Sequence, residues 1–227
     1  MTDALTGQRA AIVRRMEAAG LIAIIRAGSS AGLIEICRAL HDGGVEVSEI
    51  TMTTPGALGA ITAADREFGR QCLIGVGSVL DDETAIRAID AGARFVVGPT
   101  LKQKVVEAAH ARGVPVLPGA LSPTEVLAAW EGGADLVKVF PANHFGPRYF
   151  KDLLAPMPHL RLTPTGGVDL GTIQHWFDAG AACVGVGSAL VRKSLITNGD
   201  WPALTDLARQ FVDAVNTARS GPIESPA

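Results

Sequence analysis

Short apolar, β-rich runs recur eight times along the chain: "LIAIIR" (21–26), "VEVSEIT" (45–51), "CLIGVG" (72–77), "RFVVGP" (94–99), "VPVLPG" (114–119), "DLVKVFP" (135–141), "LRLTP" (160–164) and "ACVGVG" (182–187). Helical patterns separate them, several ending in glycine just before the next run, as in "LHDGG", "AIDAGA", "AAHARG", "WEGGA" and "FDAGAA". Glycine past a helix end is the usual left-handed cap. The runs follow one another at intervals of about 20 to 26 residues, the size of one β-loop-α unit. Eight such units with near-continuous apolar strands imply parallel pairing, with helices over the outer face. Eight strands also suffice to close a barrel filled by its own side chains. A doubly wound open sheet is the rival, but "IIRAGSSAG" after the first run holds no GxGxxG. The expected fold is α/β: a single (β/α)8 TIM barrel over residues 1–227, with an N-terminal helix over 1–20 and a loose tail over 219–227.

Composition narrows the partners. Of 227 residues, 48% are hydrophobic and 19% charged, enough apolar mass for a large core. A net charge of -3 leaves no electrostatic footprint for nucleic acid or an anionic membrane. Charged residues and glycines interrupt the apolar runs too often for a bilayer span. The first twenty residues lack the long apolar centre of a signal peptide. The expectation is a soluble, cytoplasmic protein. Cys37, Cys72 and Cys183 are odd in number and lie in apolar company, which favours buried free thiols.

In such a barrel the active site forms at the C-terminal strand ends. Arg26 closes the first run, Glu49, Thr51 and Thr53 share a face of the second, and Ser78 follows the third. Pro99 and Gly119 end the fourth and fifth, while Lys138 and Phe140 share a face of the sixth. "TPTGGV" and "GVGSAL" end the last two, bringing Thr165, Gly166, Gly167, Gly187 and Ser188 to the same rim. An ammonium at the centre of "LVKVF" is expensive to bury, so it must find a partner or give up its charge. Facing Glu49, it is either a self-satisfied ion pair or an amine nucleophile beside a proton carrier. Paired glycine turns on the last two strands suit a phosphate, because backbone N–H groups can approach the anion closely. Arg26 is read either as a partner for a substrate carboxylate or phosphate, or as half of a rim salt bridge. No histidine cluster has metal-ligand spacing, so neither metal nor cofactor is expected. Together these residues suggest Schiff-base aldol chemistry on a phosphorylated keto acid.

The segments "IAIIRA", "GGVEVSEITMTTPGAL", "IGVGSVL", "LPGALSPTE", "ADLVKVFPAN", "TPTGGV" and "GVGSALV", in this order, resemble the 2-keto-3-deoxy-6-phosphogluconate / 4-hydroxy-2-oxoglutarate aldolases and their phosphogalactonate branch. The resemblance implies a metal-free class I aldolase, commonly homotrimeric. It makes Lys138 the Schiff-base lysine, Glu49 the general acid/base, and Ser78 the hydroxyl near the substrate carboxylate. Gly166, Gly167, Gly187 and Ser188 would hold the phosphate. Where some gluconate enzymes carry an arginine four residues after the glutamate, this chain has Thr53, and Arg26 stands in as the substitute. "FGPRYF" looks like the galactonate branch and Thr165 like the gluconate branch. A phosphosugar isomerase or epimerase, with Glu49 as enolising base, and a non-catalytic keto-acid phosphate binder stay open as alternatives.

Overall fold

The computed structural model describes residues 2–220. Five strands alternate with helices over the first half: α1 (Thr2–Ala19), β1 (Leu21–Ile25), α2 (Leu33–Asp42), β2 (Val47–Thr51), α3 (Ala57–Phe68), β3 (Leu73–Gly77), α4 (Asp82–Asp90), β4 (Val96–Val97), α5 (Gln103–His110) and β5 (Val116–Leu117). The second half runs β6 (Gly119–Ala120), α6 (Pro123–Glu131), β7 (Val137–Val139), α7 (Arg148–Leu154), β8 (Leu162–Pro164), α8 (Ile173–Asp178), β9 (Val184–Val186), α9 (Lys193–Asn198) and α10 (Trp201–Ser220). The tail expected over 219–227 begins inside α10, and its remainder lies outside the described residues.

Helix boundaries follow local chemistry. Ser122 and Glu125 form a reciprocal capping box with Pro123 in the first turn of α6, and Asp81 caps α4 by accepting from the Thr84 N–H at 2.7 Å. The five glycines read as caps all adopt positive φ: Gly44, Gly92, Gly113, Gly133 and Gly180. In each case the next residue donates back to the helix, as Val45 does to Leu40 and Ala181 does to Trp176, both at 3.0 Å.

All strand pairs are parallel. A curled six-stranded sheet has the order β5-β4-β3-β2-β1-β9, and a three-stranded sheet the order β6-β7-β8. The single ring of eight strands expected from the sequence is therefore seen as two sheets. The fifth run splits because Pro118 has no N–H to give the ladder: Val116 and Leu117 pair with β4, Gly119 and Ala120 with β7. Isolated bridges, Leu162 to Ala181 and Thr165 to Gly185, link β8 with β9.

Strand alternation divides the core. Outward residues such as Ile25, Ile50, Val76, Val96 and Val139 pack beneath the helices. Ile22, Val47, Leu73, Phe95, Val97, Leu117, Leu136 and Cys183 form a separate inner cluster with Val13 and Met16 of α1. So α1 stoppers the end of the curl where the strands begin. Asp135 fastens it there, accepting from Arg9 Nε at 2.9 Å while also accepting the Val116 N–H and meeting His110. All three cysteines are buried and free, and burial pushes the Cys37 and Cys183 thiols up to about 12. Among the described residues no helix is long and apolar enough to cross a membrane.

The inner layer depends on one void. A Cβ on Gly75 would fall inside the fully buried Phe95 ring. Gly75→Ala should therefore lose about 1–3 kcal/mol in urea unfolding, and adding Phe95→Leu should restore part of it. Wild-type stability in the single variant would show that the ring is not confined there.

Candidate active site

Lys138 sits at the centre of β7, between Gly119 of β6 and Thr163 of β8. Glu49 sits at the centre of β2, between Ile24 and Gly75. Their parity matches inner-layer Leu136 and Val47, so both side chains enter the interior one layer above the apolar floor. They are buried, at 7% and 2% exposure. Yet no ion pair within 4.0 Å joins them, so the reading of a self-satisfied pair fails. Among the described residues Trp176 Nε1 is the only fully buried side-chain N or O atom lacking a hydrogen bond. Lys138 Nζ and the Glu49 oxygens make no hydrogen bond either, so both must reach open space. Lys138 Nζ lies 5.2 Å from the centroid of the Phe140 ring. Burial raises the Glu49 carboxyl above its ordinary 4.5, while the nearby charges of Lys138 and then Arg26 pull it partway back.

Glycines make the room these groups occupy. A Cβ at Gly77 would overlap a Glu49 carboxylate oxygen, and one at Gly119 would strike the Pro99 carbonyl. At Gly185 it would approach Thr165 Oγ1 to 2.6 Å, whereas at Gly187 it would meet nothing. Beyond Gly77, Ser78 holds φ at 61°, a left-handed geometry that non-glycine residues adopt only under constraint.

Above this layer opens a cleft of about 1110 Å³. It gathers eight of the expected residues: Arg26, Thr53, Phe140, Thr165, Gly166, Gly167, Gly187 and Ser188. Lys138 and Glu49 lie a layer deeper and do not line it, nor do Ser78, Pro99 and Gly119 on the far side of the mouth. A second hollow of about 510 Å³ lies between α2 and α10, next to Arg38 and Trp201, and holds none of the rim residues. Gly166 and Gly167 have φ of 96° and 75°. The Gly166 N–H faces β9 in the Thr165–Gly185 bridge, whereas the amides of Gly167, Gly187 and Ser188 donate to no protein acceptor among the described residues, leaving three N–H groups free for an anion.

Arg26 has no carboxylate within 4.0 Å among the described residues, so the rim salt bridge is absent. The chain around it is fixed by threonines that the sequence reading did not use in this way. Thr54 Oγ1 accepts the Ala27 N–H at 3.1 Å, and Thr51 Oγ1 donates to the Ile25 carbonyl at 3.2 Å and meets Thr53 Oγ1 at 3.0 Å. Lys193, Asp169 and Ser29 also line the cleft and were missed. For Lys193 a signal existed, a lysine six residues past Gly187 on the rim side of the last strand. Among the described residues, no group of three or more His, Cys, Asp or Glu side chains is placed to hold a metal ion.

Comparison with known proteins places this arrangement. The family model for KDPG and KHG aldolase matches residues 12–207. A 2-dehydro-3-deoxy-6-phosphogalactonate aldolase of Escherichia coli strain K12 is 36% identical over 155 residues, which are 68% of this chain and 76% of that one. A 2-dehydro-3-deoxy-phosphogluconate aldolase of Pseudomonas aeruginosa is 36% identical over 177 residues, 77% of this chain and 80% of that one. A Legionella pneumophila KDPG aldolase, solved with pyruvate captured at low pH as a covalent carbinolamine intermediate, matches with a TM-score of 0.81 and 28% identity. That match covers 87% of this chain and 96% of the other. The chain belongs to the KDPG and KHG aldolase family.

Proposed function

We propose that this class I aldolase cleaves a 2-keto-3-deoxy-6-phospho sugar acid to pyruvate and D-glyceraldehyde 3-phosphate, and 4-hydroxy-2-oxoglutarate to pyruvate and glyoxylate. The observation that carries the reading is Lys138: a buried, inward amine with no salt bridge, whose nearest acid is a carboxyl held above its ordinary range. The free amine is the form that attacks a ketone. Lys138 Nζ adds to the C2 carbonyl, giving a carbinolamine. Glu49 delivers the proton that lets water leave, forming the iminium. The C4 hydroxyl then loses its proton, the C3–C4 electron pair flows into the iminium, and the aldehyde departs. Protonation of the enamine at C3 and hydrolysis release pyruvate and the free lysine. A raised carboxyl suits this shuttling, because it gives and takes protons nearer neutral pH than an ordinary glutamate.

The cleft supports the orientation. Arg26, just past the strand that pairs with Glu49, sits toward the reacting end and receives the keto-acid carboxylate, with Thr53 lining the same cleft and Ser78 following β3, on the other side of Glu49's strand. The free amides of Gly167, Gly187 and Ser188 take the phosphate, with Gly166 opening the turn that presents them. Thr165 and Phe140 shape the space between. Relatives acting on the galactonate and gluconate epimers are equally similar, at 36% identity, so the proposal covers both. The two sheets act in it as one closed ring in a single domain, a reading supported by the β8–β9 bridges and by the shared fifth run. It also carries the cytoplasmic homotrimer that the family resemblance implies. Exposed Phe145 and Leu80 offer apolar contact surface, and sedimentation velocity reads the copy number.

A pyruvate-release assay coupled to lactate dehydrogenase, run on both epimers and on 4-hydroxy-2-oxoglutarate, tests the reading directly. Borohydride added with pyruvate should trap one dominant adduct, on Lys138, and Lys138→Met should abolish both adduct and turnover. An adduct on Lys102, Lys104 or Lys151 instead would sink the mechanism.

Glu49→Gln should slow turnover by about 10²–10⁴-fold. It should also stabilise the fold, with a definite pH sign. Because the folded carboxyl is raised above 4.5, the native state binds more protons than the unfolded chain as pH climbs past that value, and stability falls. Glutamine removes the loss. Thermal melts should show the variant gaining on the parent at neutral pH and losing that gain in acid; a pH-independent difference would contradict the assignment.

The two ends of the cleft separate kinetically. Ser188→Asp should raise KM sharply for phosphorylated substrate, whereas Arg26→Ala should weaken pyruvate itself, a ligand without phosphate. Pyruvate affinity left intact by Arg26→Ala would move that arginine to the phosphate end.

A further inference from the structure

We infer that Lys193 is a specificity-determining residue, the cation that balances the substrate's distal phosphate and sets the preference for phosphorylated over unphosphorylated keto acids. The inference rests on the aldolase reading of the cleft and adds to it a residue that the sequence reading had left out. Lys193 lines the cleft together with Gly166 and with Gly167, Gly187 and Ser188, the three residues with uncommitted amides. Those N–H groups orient a phosphate but carry no net charge, and the monoester brings about -1.5 to -2 at neutral pH. Something cationic has to meet it. Among the described residues three charged side chains line the cleft: Arg26, Lys193 and Asp169. Asp169 is engaged by its own turn, accepting from Thr172 Oγ1 at 3.0 Å. Lys193 is exposed and has no carboxylate within 4.0 Å among the described residues, so its charge is free for a ligand.

The two cations are not equivalent. Arg26 directly follows β1, whose Ile24 pairs with Glu49, whereas Lys193 opens α9 beyond β9 and Ser188, which puts Arg26 toward the reacting end and Lys193 toward the phosphate end. The backbone on either side of Arg26 is held by Thr51 and Thr54, which fixes where its side chain starts. A substrate with a carboxylate at one end and a phosphate at the other then lies between two positive charges. A neutral distal hydroxymethyl group would gain from Arg26 alone. Lys193 thus gives the far end a charge preference that uncharged amides cannot supply.

The test compares 2-keto-3-deoxy-6-phosphogluconate with unphosphorylated 2-keto-3-deoxygluconate on the full-length enzyme. Lys193→Met should raise KM for the phosphorylated substrate by about tenfold with kcat unchanged, the scale of one hydrogen bond to a charged group. KM for the unphosphorylated substrate should not move, Lys193→Arg should restore the phosphorylated value, and added salt should shrink the difference. Equal loss on both substrates, or no loss on either, overturns the inference. Ser188→Asp run in parallel tells the two levels apart. If it raises KM selectively while Lys193→Met does not, the phosphate end is correctly placed and Lys193 is only a solvated charge. If neither variant distinguishes the substrates, the reading of the cleft fails with it.

Discussion

Two ionisable side chains are taken out of bulk water without being allowed to touch, and most of the architecture serves that arrangement. Lys138 and Glu49 enter the interior from strands on opposite parts of the curl, deep enough that burial outweighs two neighbouring cations at the glutamate. A direct ion pair would have fixed both in their charged forms and blocked the amine. Separation leaves each under the field of the other but uncommitted. The arrangement is unfavourable to folding, and the surrounding core offsets it.

That offset is visible in the layers. Below the pair, Phe95, Leu73, Val47 and Leu136 form a dry floor, stoppered by Val13 and Met16. The floor closes the interior on the side away from the cleft. Around the pair, glycines replace side chains wherever a polar group needs volume. Gly77 is the sharpest case, because any larger residue would displace the carboxylate. In the proposed mechanism, rigid strands carry the reacting groups and loops carry the amides that take the phosphate. The division suits a site that must hold reacting atoms closely while admitting substrates of different length.

Charge is distributed to match. The chain as a whole is acidic, at -3, yet Arg26 and Lys193 give the cleft a local positive excess over Asp169. An anionic substrate is drawn to the mouth by a field that the total charge would not suggest.

The sequence by itself determined whatever depends on near neighbours in the chain. The eight runs, the glycine caps and the capping box at Ser122 are local, because backbone geometry and hydrogen bonds within a few residues decide them. The inward parity of Lys138 and Glu49 was legible for the same reason: side chains alternate at a period of two along any strand. Tertiary structure decided the rest. Pro118 splits one run between two sheets because each half finds a different partner strand. The gap between Lys138 and Glu49, the overlap that reserves Gly77 for a carboxylate, and the reach of Lys193 into the cleft all depend on distances between segments far apart in the chain. Only the packing of those segments against one another fixes those distances, so no spacing in the sequence could encode them.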